Sequence, residues 1–225
     1  MKNNILKLSV LSLFAIFAFS CKGEKENKVE TSEAQEKMES EAAVTTYNAD
    51  ADATKIDWEA SKLTGNHTGY LHISKGYINL NNSNEIEGGE FALDMSTITV
   101  TDLEEGDGKE NLEAHLKGTV EDKKGDFFNI TEYPTGNFVV TGMNETDGKT
   151  WLEGNLTLLE TTKNIKFPVN ISLEGDKMVL QSETFTIDRT EWGINFRSKS
   201  MFPNIGDKVI YDDISLTVYL EATKS

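Results

Sequence analysis

The stretch Lys55 to Leu80, KIDWEASKLTGNHTGYLHISKGYINL, decides the fold. Ile56, Trp58 and Ala60 fall on one side of an extended chain, with Lys55, Asp57, Glu59 and Ser61 on the other. That period of two marks a half-buried β-strand. Leu63-Thr-Gly-Asn interrupts the run, alternation resumes after Gly69 with Leu71 and Ile73 as the apolar pair, and Lys75-Gly76 predicts a further turn before a third strand. Short alternating runs joined by tight turns predict an antiparallel sheet.

The same pattern recurs to the C-terminus. Phe91, Leu93 and Met95 share one face, as do Phe138 and Val140, then Leu152, Leu156 and Leu158. The cleanest alternation is Ile165, Phe167, Val169, Ile171 and Leu173, with Pro168 on the polar side where no ladder hydrogen bond is needed. Met178 to Asp188 reads as a strand with Phe185 and Ile187 facing inward. Trp192, Ile194 and Phe196 continue the alternation after a connection, and the last strand, Val209 to Ala222, carries Ile210, Ile214, Leu216, Val218 and Leu220 on one face. Between the strands, Leu112 and Leu116 at helical spacing, followed by Gly118, predict one short helix at Lys109 to Lys117. The expected fold is an all-β antiparallel barrel of about eight strands with one short helical insertion.

Outside the barrel, MKNNILKLSVLSLFAIFAFSC has two lysines, an apolar run too short to span a bilayer and a small residue before Cys21. Residues 1–20 are expected to be a bacterial export leader ending in a lipobox-like Ala18-Phe-Ser-Cys21, with Cys21 as the lipidation site. As the single cysteine of the chain, Cys21 has no internal disulfide partner. Residues 21–45, rich in Glu, Lys, Ser and Ala, predict a disordered charged tether, and residues 46–225 form the barrel domain. The expected location is the bacterial envelope, with a lipid anchor in the outer membrane at its periplasmic side or at the cell surface.

Charge and motifs narrow the function. The formal net charge of −16 becomes more negative once Lys2 and Lys7 leave with the leader, which argues against nucleic acid as a partner. Gly148-Lys149-Thr150 resembles the end of a phosphate-binding loop, but the spacing from the preceding glycine is wrong and strands flank it, so Asp147-Gly148 is expected to be a hairpin turn. The three histidines, His67, His72 and His115, stand in no tight metal-ligand motif, and no GxSxG sequence is present. Asp188, Arg189 and Glu191 suggest a structural ion pair at the barrel rim. No catalytic residue, metal site or cofactor is expected, and the chain does not read as an enzyme.

The ordered landmarks resemble the YceI-like family of lipid-binding domains. They are Gly65-Asn-His67-Thr-Gly69-Tyr, Gly76-Tyr-Ile78, Phe91-Ala-Leu-Asp-Met-Ser96, Leu112 to Leu116, Asp126-Phe-Phe-Asn-Ile with Tyr133-Pro134, Thr162-Lys163, Pro168-Val169, and Phe185 to Arg189 with Gly193-Ile194. The resemblance implies an extended lipocalin-like barrel holding a long apolar lipid, such as a polyisoprenoid, an isoprenoid quinone or a fatty-acyl chain, and related domains that pair as homodimers. The ligand would then meet the inward side chains Trp58, Leu71, Ile73, Phe91, Leu93, Met95, Phe138, Val140, Leu156, Leu158, Phe167, Val169, Phe185, Ile187, Leu216 and Val218. Alternation alone leaves a second reading open, an envelope interaction protein whose barrel is filled by side chains.

Overall fold

The structure, a computed structural model, describes residues 27–39 and 44–225. The expected leader and Cys21 lie outside the described residues. In chain order the strands are β1 (Asn27–Lys28), β2 (Ser32–Glu33), β3 (Thr45–Ala49), β4 (Lys55–Lys62), β5 (Gly65–Leu80) and β6 (Ile86–Val100). The helix α1 (Lys109–Lys117) follows, then β7 (Thr135–Thr146), β8 (Lys149–Leu158), β9 (Thr161–Glu174), β10 (Lys177–Ser182), β11 (Phe185–Asp188) and β12 (Ile210–Lys224). Strands β4 to β10 and β12 pair antiparallel in succession, and β12 returns to β4, so the sheet closes as a ring of about eight strands. Closure removes the free edges that an open sheet would expose.

Two positions in the ring are each shared by two short strands. β3 and β4 both pair with β5 and with β12, at different heights, and β10 and β11 both pair with β12. The Met178 to Asp188 run is therefore two strands. The reason lies at Pro168. The ladder between β9 and β10 ends at Val169 and Ser182, and the Glu183 amide donates to the Pro168 carbonyl at 3.0 Å. Beyond that bond the next amide on this side of β9 would be that of Pro168, which has none. The chain then leaves β9 and pairs only with β12, so the first half of β9 and the whole of β11 stand apart.

The N-terminal segment occupies this split. β1 runs parallel to β11, with Asn27 opposite Phe185 and Lys28 opposite Thr186, and β2 runs antiparallel to β9, with Ser32 opposite Asn164 and Glu33 opposite Lys163. Val29 between them is buried. Lys28 pairs with Asp213 and Asp188, Glu33 with Lys163, and Lys37 with Glu90. Asn155 receives the Gln35 amide at 3.0 Å and donates to the Gln35 carbonyl at 2.7 Å. Residues 27–39 thus depart from the expected disordered tether: they are held by backbone edges and by charges on distant strands.

The stretch from Lys55 to Leu80 also differs from its reading in two respects, the first being that β5 already begins at Gly65 and not at Gly69. The turn at Leu63-Thr64 is present, but β5 runs unbroken through Lys75-Gly76, with its register against β6 shifting between Ile73 and Lys75. Gly76 is a packing glycine: a Cβ there would lie 2.2 Å from the ring of Phe91 on the neighbouring strand. Elsewhere the punctuation holds. Asp147 and Gly148 both have positive φ, at 54° and 73°, in the β7–β8 hairpin, and Gly118 (φ 69°) ends α1 at Lys117. The β8–β9 hairpin turns at Leu159-Glu160, and Thr161 to Lys163 already belong to β9.

Candidate functional site: an apolar cavity in one half of the barrel

The ring has two dissimilar halves. At the end away from α1, Tyr47, Ile78, Leu80, Ile86, Val140, Val169, Met178 and Ala222 are buried and close the interior as packed core. Toward α1 the interior opens into a cavity of about 200 Å³. Its wall includes Trp58, Leu71, Ile73, Phe91, Leu93, Met95, Phe138, Leu156, Leu158, Phe167, Phe185, Ile187, Leu216 and Val218, all of them inward positions expected from alternation. Val140 and Val169, expected beside them, share the inward face but belong to the packed half. Val140 lies against Gly89, and Val169 is paired with Thr150 and Ser182 beyond the cavity's inner limit.

Sequence reasoning missed part of the lining. Ile56, Ala60, Leu152, Ile165, Ile210, Ile214 and Leu220 continue the same alternation and were legible as inward. Leu116 of α1 and Phe127-Phe128 were not, because their place over the barrel depends on tertiary contacts. The Phe128 amide donates to the Leu116 carbonyl at 3.1 Å, and the Ile130 amide to that of Lys117 at 2.9 Å, which folds this segment back against the helix. His115 stands between the rings of Phe127 and Phe196, each centroid 5.1 Å away, and its Nε2 is 2.7 Å from an Asp126 carboxylate oxygen.

Space for the cavity comes from glycines set beside rings. A Cβ on Gly69 would come within 2.4 Å of the Trp58 indole on the paired strand, and one on Gly154 within 2.2 Å of the Phe138 ring. Both rings therefore lie against the wall and leave the lumen clear. Phe167 and Phe185, both in the cavity wall, stack at 4.3 Å with planes 9° apart.

The cavity offers almost no polar chemistry. Among the described lining residues, only Thr54 and Arg189 carry polar side chains. Arg189 is spent on structure: its guanidinium donates to the carbonyls of Ile194 (2.6 Å), Phe196 (3.0 Å), Ile210 (3.2 Å) and Tyr211 (3.3 Å), and it meets Asp212 at 3.4 Å. Burial pushes its pKa down, opposed by Asp212 and Asp188. The expected partnership with Glu191 gives way to Asp212, while Asp188 caps the following turn by accepting from the Thr190 amide and hydroxyl.

The histidines serve local bonds. His67 contacts Asp102 at 2.8 Å and Lys62 at 3.2 Å, and His72 contacts the Thr54 carbonyl at 2.8 Å. Burial would raise the Asp102 carboxyl, but the Thr68 amide and His67 together hold it below the usual carboxylate range. No group of three His, Cys, Asp or Glu side chains among the described residues is arranged to hold a metal ion. A cavity walled by hydrocarbon and aromatic rings can hold an apolar chain by burial, and the polar groups at its edge stiffen the frame.

Comparison with known proteins agrees with this geometry. The sequence model of the YceI-like domain matches residues 47–222. The fold is similar to that of Burkholderia cenocepacia BcnA, at 16% identity and a TM-score of 0.60 over 78% of this chain and 99% of that one. It is also similar to a polyisoprenoid binding domain from Saccharophagus degradans implicated in plant cell wall breakdown, at 13% identity and a TM-score of 0.56 over 80% of this chain and 98% of that one. A comparison with curated proteins finds no match.

Proposed function

The chain belongs to the YceI-like domain family, and from that premise we propose that it binds a long-chain apolar lipid inside its barrel without catalysing a reaction. The observation that carries the reading is the half-open interior, whose described lining is hydrocarbon and aromatic apart from Thr54 and the fully engaged Arg189. Each methylene buried there contributes about 0.8 kcal/mol, so a chain of polyisoprenoid, isoprenoid quinone or fatty-acyl type is held without a specific polar contact. The role is carriage or sequestration in the bacterial envelope, with Cys21 lipidated as the membrane anchor. Cys21 stands six residues before Asn27, a span of at most about 20 Å when extended, so an acylated Cys21 would keep the barrel beside the membrane.

Mass spectrometry tests both parts in one preparation. Organic extraction of the purified protein is expected to release stoichiometric lipid, and the protein itself to carry an acyl adduct at Cys21. A barrel that yields no lipid after gentle purification, and takes up none when offered isoprenoid or acyl chains, would instead favour the filled-barrel interaction protein.

A further inference from the structure

The large exposed apolar side chains among the described residues are Leu63, Met201, Phe202 and Tyr211, and all four stand at one place. Ile210, which lines the cavity, is the point they share. On one side it pairs with Lys62, next to Leu63 at the tip of the β4–β5 hairpin. On the other it bridges to Ser198, whose carbonyl accepts from the Phe202 amide at 2.9 Å and whose hydroxyl accepts from the Met201 amide at 3.2 Å. Tyr211 follows Ile210 directly. An apolar lip therefore stands immediately outside the apolar wall of the cavity.

The charge at this lip is opposite to that of the molecule. Acidic residues outnumber basic ones 38 to 22 in the chain, yet between Trp192 and Tyr211 the only acid is Asp207, against Arg197, Lys199 and Lys208. Lys62 adds a fourth exposed cation across the hairpin. Nearby Asp212 is engaged by Arg189 and the Ser200 amide, Asp213 by Lys28, and Asp102 by His67. Exposed rings and thioethers flanked by long-stemmed cations match a boundary between acyl chains and anionic headgroups.

We infer that this lip docks on an anionic lipid bilayer, with Met201, Phe202 and Leu63 entering the acyl boundary and the four cations meeting headgroups. The inference deepens the lipid-binding reading by placing the cavity beside the bilayer from which a lipid would come, but docking itself does not require a bound lipid.

A nitroxide on Met201→Cys tests it, in the full chain carrying Cys21→Ser so that only the lip is labelled, with Thr146→Cys at the opposite end as control. On vesicles of phosphatidylcholine and phosphatidylglycerol, collisions with oxygen should rise and collisions with a water-soluble nickel chelate fall at position 201 and not at 146. Arg197→Gln and Lys199→Gln should each weaken vesicle binding about fivefold, and added salt should weaken it further. Three results would overturn the inference: a label at 201 as water-accessible as that at 146, equal insertion into vesicles of phosphatidylcholine alone, or immobilisation that grows with protein concentration without vesicles, which would assign the lip to contact between copies. Lipid extraction from the same samples separates the two readings. An empty barrel that still inserts its lip leaves docking standing, and a loaded barrel that does not insert defeats docking alone.

Discussion

Arg189 makes one buried side chain hold a whole rim, since four carbonyls from residues 194 to 211 converge on its guanidinium. Its counter-ion, Asp212, is the titratable part of that frame. Burial would raise the Asp212 carboxyl, but the Ser198 and Ser200 hydroxyls, the Ser200 amide and Arg189 together hold it below the usual range. The unfolded chain then binds the proton more readily, so stability rises with pH. The contribution is complete above the unfolded value of about 3.9 and is lost as pH falls through the lower folded value. Asp212→Asn is expected to cost about 1.5–3 kcal/mol near neutrality, with thermal melts of variant and parent converging in acid. A difference that stays constant with pH would mean that the charge contributes nothing. Gly154 acts by lacking a side chain. Gly154→Ala should drive the Phe138 ring into the lumen, lower bound lipid several-fold and cost about 1–3 kcal/mol, which solvent extraction and melting of the delipidated protein would read together. Neither role was legible in the sequence: Asp212 lies 23 residues from Arg189, and a strand glycine looks the same whether it marks a bulge, a turn or a neighbouring ring.

At the scale of elements, β4, β6 to β9, β12 and the helix α1 were legible because hydrophobic period and turn residues are local signals. The run Trp192, Ile194 and Phe196, read as further alternation, instead forms a short 3-10 turn and loop. The docking of residues 27–39 was not legible. That segment buries Val29 and little else of size, so its composition is that of a disordered chain, and its order comes from edges left free by β9 before Pro168 and by β11. Strand addition to an open edge draws on backbone hydrogen bonds, which sequence composition does not report. Val29→Asp places an unpaired carboxylate under the inserted segment and should release it. The expected result is faster hydrogen exchange at the amides of 27–39, including that of Val29, which donates to the Thr186 carbonyl, while the β7–β8 hairpin keeps its protection. Unchanged protection in the variant would show that Val29 is not what holds the segment in place.

For the whole molecule, whether the barrel is filled or hollow depends on height along its axis: one half is packed and the other encloses an apolar cavity. Alternation gave the inward face of β4 to β9, β11 and β12 but carried no information about height, which is why Val140 and Val169 were grouped with the residues that line the cavity. The two halves should answer oppositely to added bulk. Val169→Phe inserts a ring where Met178, Val140 and Ile78 already fill the interior, and overpacking of that kind costs about 1–3 kcal/mol. Melting should fall by several degrees in a protein of this size, while the cavity, and with it bound lipid, is largely retained. Ala60→Phe points its ring into the cavity from β4, where there is room for it, so the delipidated variant should melt near the parent and carry several-fold less lipid. Both comparisons need delipidated protein, because loss of a ligand lowers apparent stability by mass action. If Ala60→Phe destabilised the empty barrel as much as Val169→Phe, the open half would be closed in solution. If it left lipid content unchanged, the ligand would lie elsewhere.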